Sequence, residues 1–243
     1  MREQILWSVL VPIMIVAISG CQAIGLGPTP TPTVSLPADE IVRRSSEAML
    51  AVESLHFEIE LTGKLAYIDR PPTTALKQVT GDLLRPDRVR GLVKVSSFGL
   101  ISEIGLISVA GDSYVTNPVN QRWEALPPEW GWYFDPSLPF DETYGIPAVA
   151  PQIEFEKLAV ETLDGAAVYQ LEGIAQGRQI TWWAAGLITD GDVPVTLWID
   201  TETFLIHQVQ MVELASDPKR PTTWRIRFTH YNQPLTIEIP PTG

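Results

Sequence analysis

The hydrophobic positions of this chain follow two periods, and the helical period is confined to one stretch. Between residues 37 and 54, small or apolar side chains recur every three or four positions, at Ile41, Ser45, Ala48 and Val52. Charged side chains occupy most of the intervening positions. The spacing predicts one amphipathic helix from about Pro37 to Ser54, with Ser35 as its N-cap.

From Leu55 onward the period of the apolar positions changes to two. Phe57, Ile59 and Leu61 alternate with polar side chains, which is the pattern of a half-buried strand. Further short runs of this character, separated by turn residues, predict additional strands. These runs are Leu76–Leu84, Arg88–Val95, Leu100–Val109, Asp112–Thr116, Glu154–Leu163, Ala166–Glu172, Gln179–Trp183, Val193–Asp200, Leu205–Glu213, Thr222–Tyr231 and Leu235–Ile239.

About ten short strands with tight turns and one clear helix indicate an α+β fold with a single antiparallel, up-and-down sheet. A twisted sheet of that size curls or splits into two packed sheets. A helix laid across the concave side of a curled sheet leaves a hollow. The periodicity leaves open whether side chains or a ligand fill that hollow. The stretch 124–152 is rich in Pro, Trp and Tyr, and we expect it to cross the opening with a short helix or two.

The beginning of the chain has the features of an export signal. Arg2 precedes a mostly apolar stretch at 5–18, which is shorter than the roughly 20 apolar residues of a membrane span. The quartet at 18–21 resembles a bacterial lipobox, in which the final residue, here Cys21, becomes the acylated N-terminus. We therefore expect a lipoprotein signal peptide over 1–20 and fatty acylation, as by palmitate, of Cys21. An ordinary secretory signal with a chance cysteine is the alternative.

A Pro/Thr repeat at 28–33 follows and favours an extended, semi-rigid spacer. Residues 21–36 are thus predicted to link the lipidated cysteine to a folded domain over 37–243. Such a linker holds the domain up to about 45 Å from the bilayer, at roughly 3.1 Å per residue. We expect the protein to be exported, anchored to the cell membrane and facing outward into the cell envelope.

Charge and cysteine content exclude some classes of protein. The 243 residues carry a formal net charge of −12, and an acidic surface repels phosphate backbones, so nucleic-acid binding is excluded. Since the chain has one cysteine, it forms no internal disulfide, and its stability has to come from packing.

No arrangement of residues points to catalysis. His56, His207 and His230 stand apart in strand patterns, and none belongs to a cluster with metal-ligand spacing. Ser113 lacks both the second glycine of a nucleophile elbow and an evident base. The sequence also lacks a glycine-rich phosphate loop, so it predicts no enzyme, no cofactor and no metal site.

Two apolar runs are better candidates for function, Phe98–Ile107 and Trp182–Ile188. Each suits either ordinary core or a wall in contact with lipid, because large apolar patches mark binding or membrane sites when they are exposed. The aromatic cluster of Trp130, Trp132 and Tyr133 suits either a lipid–water interface or simple loop packing. The cationic side chains near 85–94 and 219–227 suit either binding to anionic lipid headgroups or, more simply, exposure to solvent on a charged face.

Several short motifs, in their order and spacing, resemble the LppX/LprG-type bacterial lipoproteins (the LppX/LprAFG family) over about residues 38–240. They are the run at 54–63, Gly111-Asp112-Ser113-Tyr114-Val115 with Arg122-Trp123, Leu163-Asp164-Gly165 with Tyr169, the run at 195–200, and Tyr231-Asn232-Gln233-Pro234 with Ile237 and Pro240. The resemblance implies a LolA/LolB-like fold, a curved antiparallel β half-barrel with helices across its concave face enclosing an apolar cavity. It also implies binding of acyl lipids or glycolipids, their passage across the envelope with a membrane lipid exporter as a possible partner, and no catalytic residue.

Strand alternation assigns the wall of that cavity. The lipid-binding candidates are Phe57, Ile59, Leu61, Val93, Val95, Phe98, Leu100, Ile104, Leu106, Ile180, Trp182, Leu197, Ile199, Val209 and Met211. The leading hypothesis is a membrane-tethered, non-enzymatic carrier that moves acyl lipids or glycolipids across the cell envelope. The alternative is an envelope sensor or protein-interaction module on the same fold, with a small or closed cavity.

Overall fold

Twelve strands and one three-turn helix account for most of the ordered secondary structure in the computed structural model of this chain. The structure describes residues 36–69, 71–126 and 137–242, which belong to one unit, Leu36–Gly243. Helix α1 spans Ala38–Leu50. The strands are β1 Ser54–Thr62, β2 Ala66–Tyr67, β3 Thr74–Leu84, β4 Arg88–Ser97, β5 Leu100–Val109, β6 Asp112–Thr116, β7 Trp123–Ala125, β8 Phe155–Leu163, β9 Ala166–Gln176, β10 Asp192–Asp200, β11 Ile206–Glu213 and β12 Thr222–Thr229.

The strands form one antiparallel sheet with β1 at its centre. The order across the sheet is β7-β6-β5-β4-β3-β1-β12-β11-β10-β9-β8, and the short β2 pairs with β3. The chain therefore winds outward from β1 to one edge, crosses to the opposite edge, and winds back until β12 pairs with β1. Neighbouring strands in this order follow one another in the sequence, except that β1 and β3 flank the short β2 and that β1 pairs with β12, which joins the two halves.

Helix α1 packs on the concave face of the sheet through a buried stripe of Ile41, Val42, Ser45 and Met49. Four short helical segments lie in the two connections that also contribute to this core: Leu138–Phe140, Ile146–Val149 (α2), Ala150–Gln152 and Thr181–Ala184. Their buried side chains include Phe140, Ile146 and Trp183. The helix predicted to end near Ser54 ends four residues earlier, and the residue before its first turn is Pro37, which makes no side-chain cap.

The C-terminal segment 232–242 is a strap that lies on the other face of the sheet. Asn232 caps it by accepting a hydrogen bond from the Glu53 amide and donating one from its own amide to the Ser54 carbonyl. Farther along, Arg88 donates a hydrogen bond to the Ile237 carbonyl at 2.9 Å. The buried Ile237 packs with Ile107 and Val109, which face away from the main core.

Two predicted strands are wrong, and both errors have the same physical cause. Residues 179–183 were expected to be a strand, but Thr181–Ala184 is a 3-10 helix that ends in left-handed Ala185 and Gly186. Residues 235–239 also alternate apolar and polar side chains, yet they belong to the strap and pair with no strand within the described chain. A short apolar run is compatible with several backbone conformations, so its period alone does not decide between them.

Candidate functional site

The concave face of the sheet carries an unbroken apolar row that crosses eight strands. Residues paired directly across antiparallel strands share a face, so the register defines this row. From β5 to β9 it contains Ile104, Val93, Val79, Ile59, Ile226, Val209, Leu197 and Leu171. Every member is branched and aliphatic, so this face offers a continuous apolar surface.

The coverage of that surface differs between the two halves. Over β8–β12, the row lies beneath α1 and the short helices, and Ile226, Val209, Leu197 and Leu171 are fully buried. Over β3–β6, the side chains of Val79, Val93, Ile104 and Val115 are only half-buried. We call these four residues the half-open strip. On this strip the described chain leaves part of the apolar surface accessible.

An aromatic cluster stands at the boundary between the covered half and the half-open strip. The ring of Phe57 lies 5.1 Å from that of Phe140, which lies 5.8 Å from that of Phe228. Gly81 makes room for this cluster, since a Cβ at that position would lie 2.8 Å from Phe57 Cζ and 2.5 Å from the Arg90 carbonyl oxygen. The Phe57 ring therefore fits because β3 has no side chain there.

The structure brings most of the predicted cavity residues onto the concave side. Ten are buried in the core cluster or beside it, and two more, Val93 and Ile104, belong to the half-open strip. The ten are Phe57, Ile59, Leu61, Val95, Leu106, Ile180, Leu197, Ile199, Val209 and Met211. Ile180 reaches this core from the turn before a 3-10 helix and not from the predicted strand.

Three predicted cavity residues lie elsewhere. Trp182 is half-buried on the 3-10 helix, while its neighbour Trp183 fills the core. Phe98 and Leu100 lie at the exposed tip of the β4–β5 hairpin, beyond the reach of α1 and the short helices. Alternation identifies the face of the sheet on which a side chain lies, but it does not show how far the helices that cover that face extend.

Sequence reasoning also missed residues that shape this face. Trp224, Ile226 and Phe228 alternate within a correctly predicted strand, so their burial was accessible from the pattern. Phe140 has no comparable signal because it lies in a proline-containing turn. Some predictions concern positions outside the described residues. They are the signal peptide 1–20, Cys21, the linker up to residue 35, and the aromatic cluster of Trp130, Trp132 and Tyr133.

Three buried polar atoms on this side of the sheet have no hydrogen-bond partner among the described residues: Ser45 Oγ on α1, Trp183 Nε1 and Trp224 Nε1. A buried polar group without a partner costs free energy, because it gives up its hydrogen bonds to water. Most buried polar groups in native proteins are paired, so these three atoms stand out as positions that a bound polar group would stabilise.

A polar pocket of about 150 Å³ lies on the opposite face, beneath the strap. Its lining includes His56, Asp82, Arg90 and His230. Asp82 accepts from Arg90 at 2.6 Å and lies 2.8 Å from His56 Nδ1. The described residues contain no group of three or more side chains suited to a metal ion. This pocket is too small and too polar to hold an acyl chain, because ligand sites for apolar molecules are usually about 300–1,000 Å³.

The helices of the described region are short. The longest, α1, has 13 residues, and none is long and apolar enough to cross a bilayer.

These features define an α+β half-barrel, a curved antiparallel sheet whose apolar concave face is crossed by one helix. The family model for the LppX_LprAFG lipoproteins matches residues 37–237. This match covers most of the chain, so the protein belongs to the LppX_LprAFG lipoprotein family. The expected family and the expected fold class are therefore confirmed, with twelve strands in place of about ten.

Solved structures share this fold. LprF from Mycobacterium bovis superposes with a TM-score of 0.66 at 17% identity, covering 86% of this chain and 100% of its own. LppX from Mycobacterium tuberculosis gives 0.58 at 13% identity, covering 82% and 97%. At such identities the likeness shows the fold alone. None of the curated protein sequences matches the chain.

Proposed function

We propose that this protein is a membrane-tethered, non-enzymatic carrier that binds acyl lipids or glycolipids on its concave face and moves them across the cell envelope. The observation that carries the proposal is the apolar row across eight strands together with the half-open strip, which remains accessible among the described residues. Membership of a lipoprotein family supports it at the level of the class.

The energetics of acyl chains explain why a carrier is needed. Each methylene moved from water into an apolar environment contributes about 0.8 kcal/mol, so an 18-carbon chain left in water costs on the order of 14 kcal/mol. A protein that replaces the bilayer around the chain lowers this barrier without consuming ATP. Partition between the membrane and the concave face would then drive loading, and a membrane lipid exporter is the partner we propose for the donor or acceptor step.

The N-terminal region has a matching role in this proposal. A signal peptide over 1–20 directs export, acylated Cys21 anchors the chain, and residues 21–36 link it to the lipid-binding domain at 37–243. Several acyl chains on one residue give stable anchoring, whereas a single chain binds only marginally. The anchor would keep the carrier beside its donor membrane on the outward-facing side. The unpartnered Ser45 Oγ and Trp183 Nε1 are our candidates for contact with ester or hydroxyl groups of the lipid.

The test is native mass spectrometry of the chain Gln22–Gly243, without its anchor, followed by organic extraction of any bound mass. We expect acyl lipids to be bound after purification or after incubation with lipid vesicles. A matched pair of variants locates the site. Val93→Glu places a carboxylate on the half-open strip, whereas Leu92→Glu places it on the opposite face of the same strand.

We expect Val93→Glu to reduce lipid occupancy at least tenfold, because burying a charge against acyl chains is strongly unfavourable. Leu92→Glu should retain the wild-type occupancy. Equal loss in both variants would argue against this face as the binding site. A wild-type chain that stays free of lipid after incubation would contradict the carrier and favour the interaction module.

A further inference from the structure

The β4–β5 hairpin ends in an apolar tip that the rest of the described fold does not cover. Phe98, Leu100 and Ile101 are 86%, 74% and 67% exposed, respectively, and they follow one another around the turn. We call these three residues the hairpin tip. Single exposed apolar residues are normal on protein surfaces, but a contiguous group marks a contact site.

The turn itself uses an unusual residue for its geometry. Phe98 and Gly99 both have positive φ, at 49° and 83°, a combination typical of a two-residue hairpin turn of type I′. Asn-Gly and Asp-Gly are the preferred sequences, since a bulky side chain rarely adopts positive φ. Two other hairpins of this chain have the same pair of positive φ angles with Ala110-Gly111 and Asp164-Gly165. An exposed phenylalanine is thus held where the backbone favours a small or polar residue.

Both faces of the hairpin are apolar at the tip. Leu100 pairs with Ser97 and lies on the face of the half-open strip, while Ile101 pairs with Ser96 and points to the other side. Within the described residues, β6 pairs only with residues 106–109 of β5, so the outer half of this hairpin extends beyond its neighbour. On its β5 side the tip therefore has no adjacent strand among the described residues, whereas on the other side β4 stays paired with β3 up to Ser97.

Serines flank the apolar tip, and charged side chains begin at a definite distance from the apex. Lys94 and Glu103 face each other across the hairpin with an ion pair of 3.4 Å. Phe98 lies four positions beyond Lys94 in the chain, which is about 13 Å along a strand at roughly 3.3 Å per residue. Apolar elements that lie in the membrane interface reach about 5–10 Å into the headgroup and acyl boundary. The tip thus has the dimensions of a shallow membrane wedge.

We propose that the hairpin tip is the membrane-docking element of this protein and that its occupant is the surface of a lipid bilayer. The inference rests on the proposed function in one respect, the tether that holds the domain near a membrane. The spacer supports the choice of occupant, because its reach of about 45 Å at roughly 3.1 Å per residue allows the domain to approach the bilayer. Leu100 lies on the same face as Ile104, so docking would bring the half-open strip next to the acyl region.

The charge of the chain determines how the docking works. A net charge of −12 repels anionic headgroups, so the apolar tip and not electrostatic attraction supplies the binding. We therefore expect binding to zwitterionic phosphatidylcholine vesicles, with little loss when the salt concentration rises from about 0.1 M to 1 M, where charges are screened within a few ångströms.

The experiment is flotation of the chain Gln22–Gly243 with phosphatidylcholine vesicles, because the acyl anchor of the mature protein would bind any vesicle by itself. Phe98→Asn creates the preferred Asn-Gly turn, so it should preserve or raise the melting temperature while lowering vesicle binding at least fivefold. The triple variant Phe98→Asn, Leu100→Ser, Ile101→Ser should lower binding at least twentyfold. A loss of vesicle binding at an unchanged melting temperature would separate docking from folding.

A matched control removes the same kind of exposed side chain elsewhere. Val119, Leu158 and Ile174 are 91%, 50% and 65% exposed and lie outside the hairpin. Their combined replacement by serine should leave vesicle binding within twofold of wild type. If the control lowers binding as much as the tip variant does, or if the wild-type chain fails to float, the proposal is overturned.

A site-specific probe distinguishes a bilayer from a protein partner. The chain without Cys21 has no cysteine, so Phe98→Cys carries a single environment-sensitive fluorophore, and Val119→Cys carries the control label. We expect a blue shift on adding vesicles at position 98 only, together with quenching by nitroxides placed near the headgroups. A shift that depends on protein concentration and not on vesicles would show a second copy as the occupant and would overturn the proposal.

Failure of this inference and failure of the carrier proposal give different results. A wild-type chain that carries lipid in the mass spectrometer but does not float contradicts the docking element alone. A chain that floats through its tip but carries no lipid supports docking and contradicts the carrier.

Discussion

Asp82 on β3 illustrates how a single side chain on the outer face of the sheet connects neighbouring strands. Its carboxylate receives a hydrogen bond from Arg90 on the neighbouring strand and lies beside the His56 ring on the other. Burial alone would raise the pKa of Asp82, but the hydrogen bonds from His56 and Arg90 outweigh that effect, so the pKa lies below its usual range. The carboxylate therefore favours the folded state only while it is ionised.

We expect Asp82→Asn to lower the free energy of unfolding by about 1 kcal/mol near neutral pH. A carboxyl whose pKa is lowered by folding contributes its stability above the unfolded value, about 3.9, and loses it as the pH falls through the folded value. The difference between variant and wild type should thus shrink below about pH 4. Urea denaturation at several pH values measures it, with the exposed carboxylate variant Glu156→Gln as control. A difference that does not change with pH would contradict this account.

The strap is the element whose role the pattern of the chain does not reveal. Its residue Ile237 is 1% exposed and completes a small second cluster with Ile107 and Val109. The strap also meets the edge of the sheet, where Thr242 bridges to Trp123 on β7. The outermost strands of this half are therefore held by a segment that follows the last strand of the other half.

Replacement of Ile237 by Ala should lower the free energy of unfolding by about 2 kcal/mol, the low end for a buried Ile to Ala change, because the cluster is small. Ile239 is two residues away and 54% exposed, so Ile239→Ala is the matched control and should stay within about 0.5 kcal/mol. Denaturant unfolding gives both values, and hydrogen exchange should rise in β5–β7 in the first variant only. Equal effects would mean that the strap does not stabilise this half.

The whole molecule depends on a pairing between distant parts of the chain. Strand β1 follows α1 directly and pairs on one side with β12, the last strand, so the sheet is complete only when the whole domain is present. Such long-range pairing forms more slowly than a local hairpin, because the entropy cost of closing the long loop comes before the contacts that compensate it. The proposed export and anchoring belong to this same scale, since they would determine where the completed sheet operates.

The proposed anchor makes a prediction about the mature protein. When the full chain is produced in a bacterial host that processes lipoproteins, its N-terminal peptide should begin at Cys21 and carry acyl mass on that residue. Cys21→Ala should lack the acyl mass and retain the signal peptide. Thr29→Ala, in the spacer, is the control and should be processed as the wild type is. Peptide mass spectrometry decides, and an unmodified mature terminus elsewhere would contradict the lipoprotein signal.

Much of the fold is predictable from local patterns because the patterns express backbone geometry. Alternation in β1 identifies Phe57, Ile59 and Leu61 as one face, and the helical spacing around Ile41 and Ser45 identifies α1. Turn residues then separate the strands into hairpins. The concave location of most candidate residues follows from the same alternation, while the role of Cys21 stays a prediction.

The sequence by itself determined the elements, their faces and the family, since these depend on neighbours within a few residues or on motifs in order. Tertiary structure decided the rest. It showed that the run at 235–239 is a strap, that the turn around Trp183 is a 3-10 helix in the core, and that Phe98 and Leu100 are exposed. Whether an apolar side chain is covered depends on where β6, α1 and the short helices end in space. Those positions follow from contacts between residues far apart in the chain.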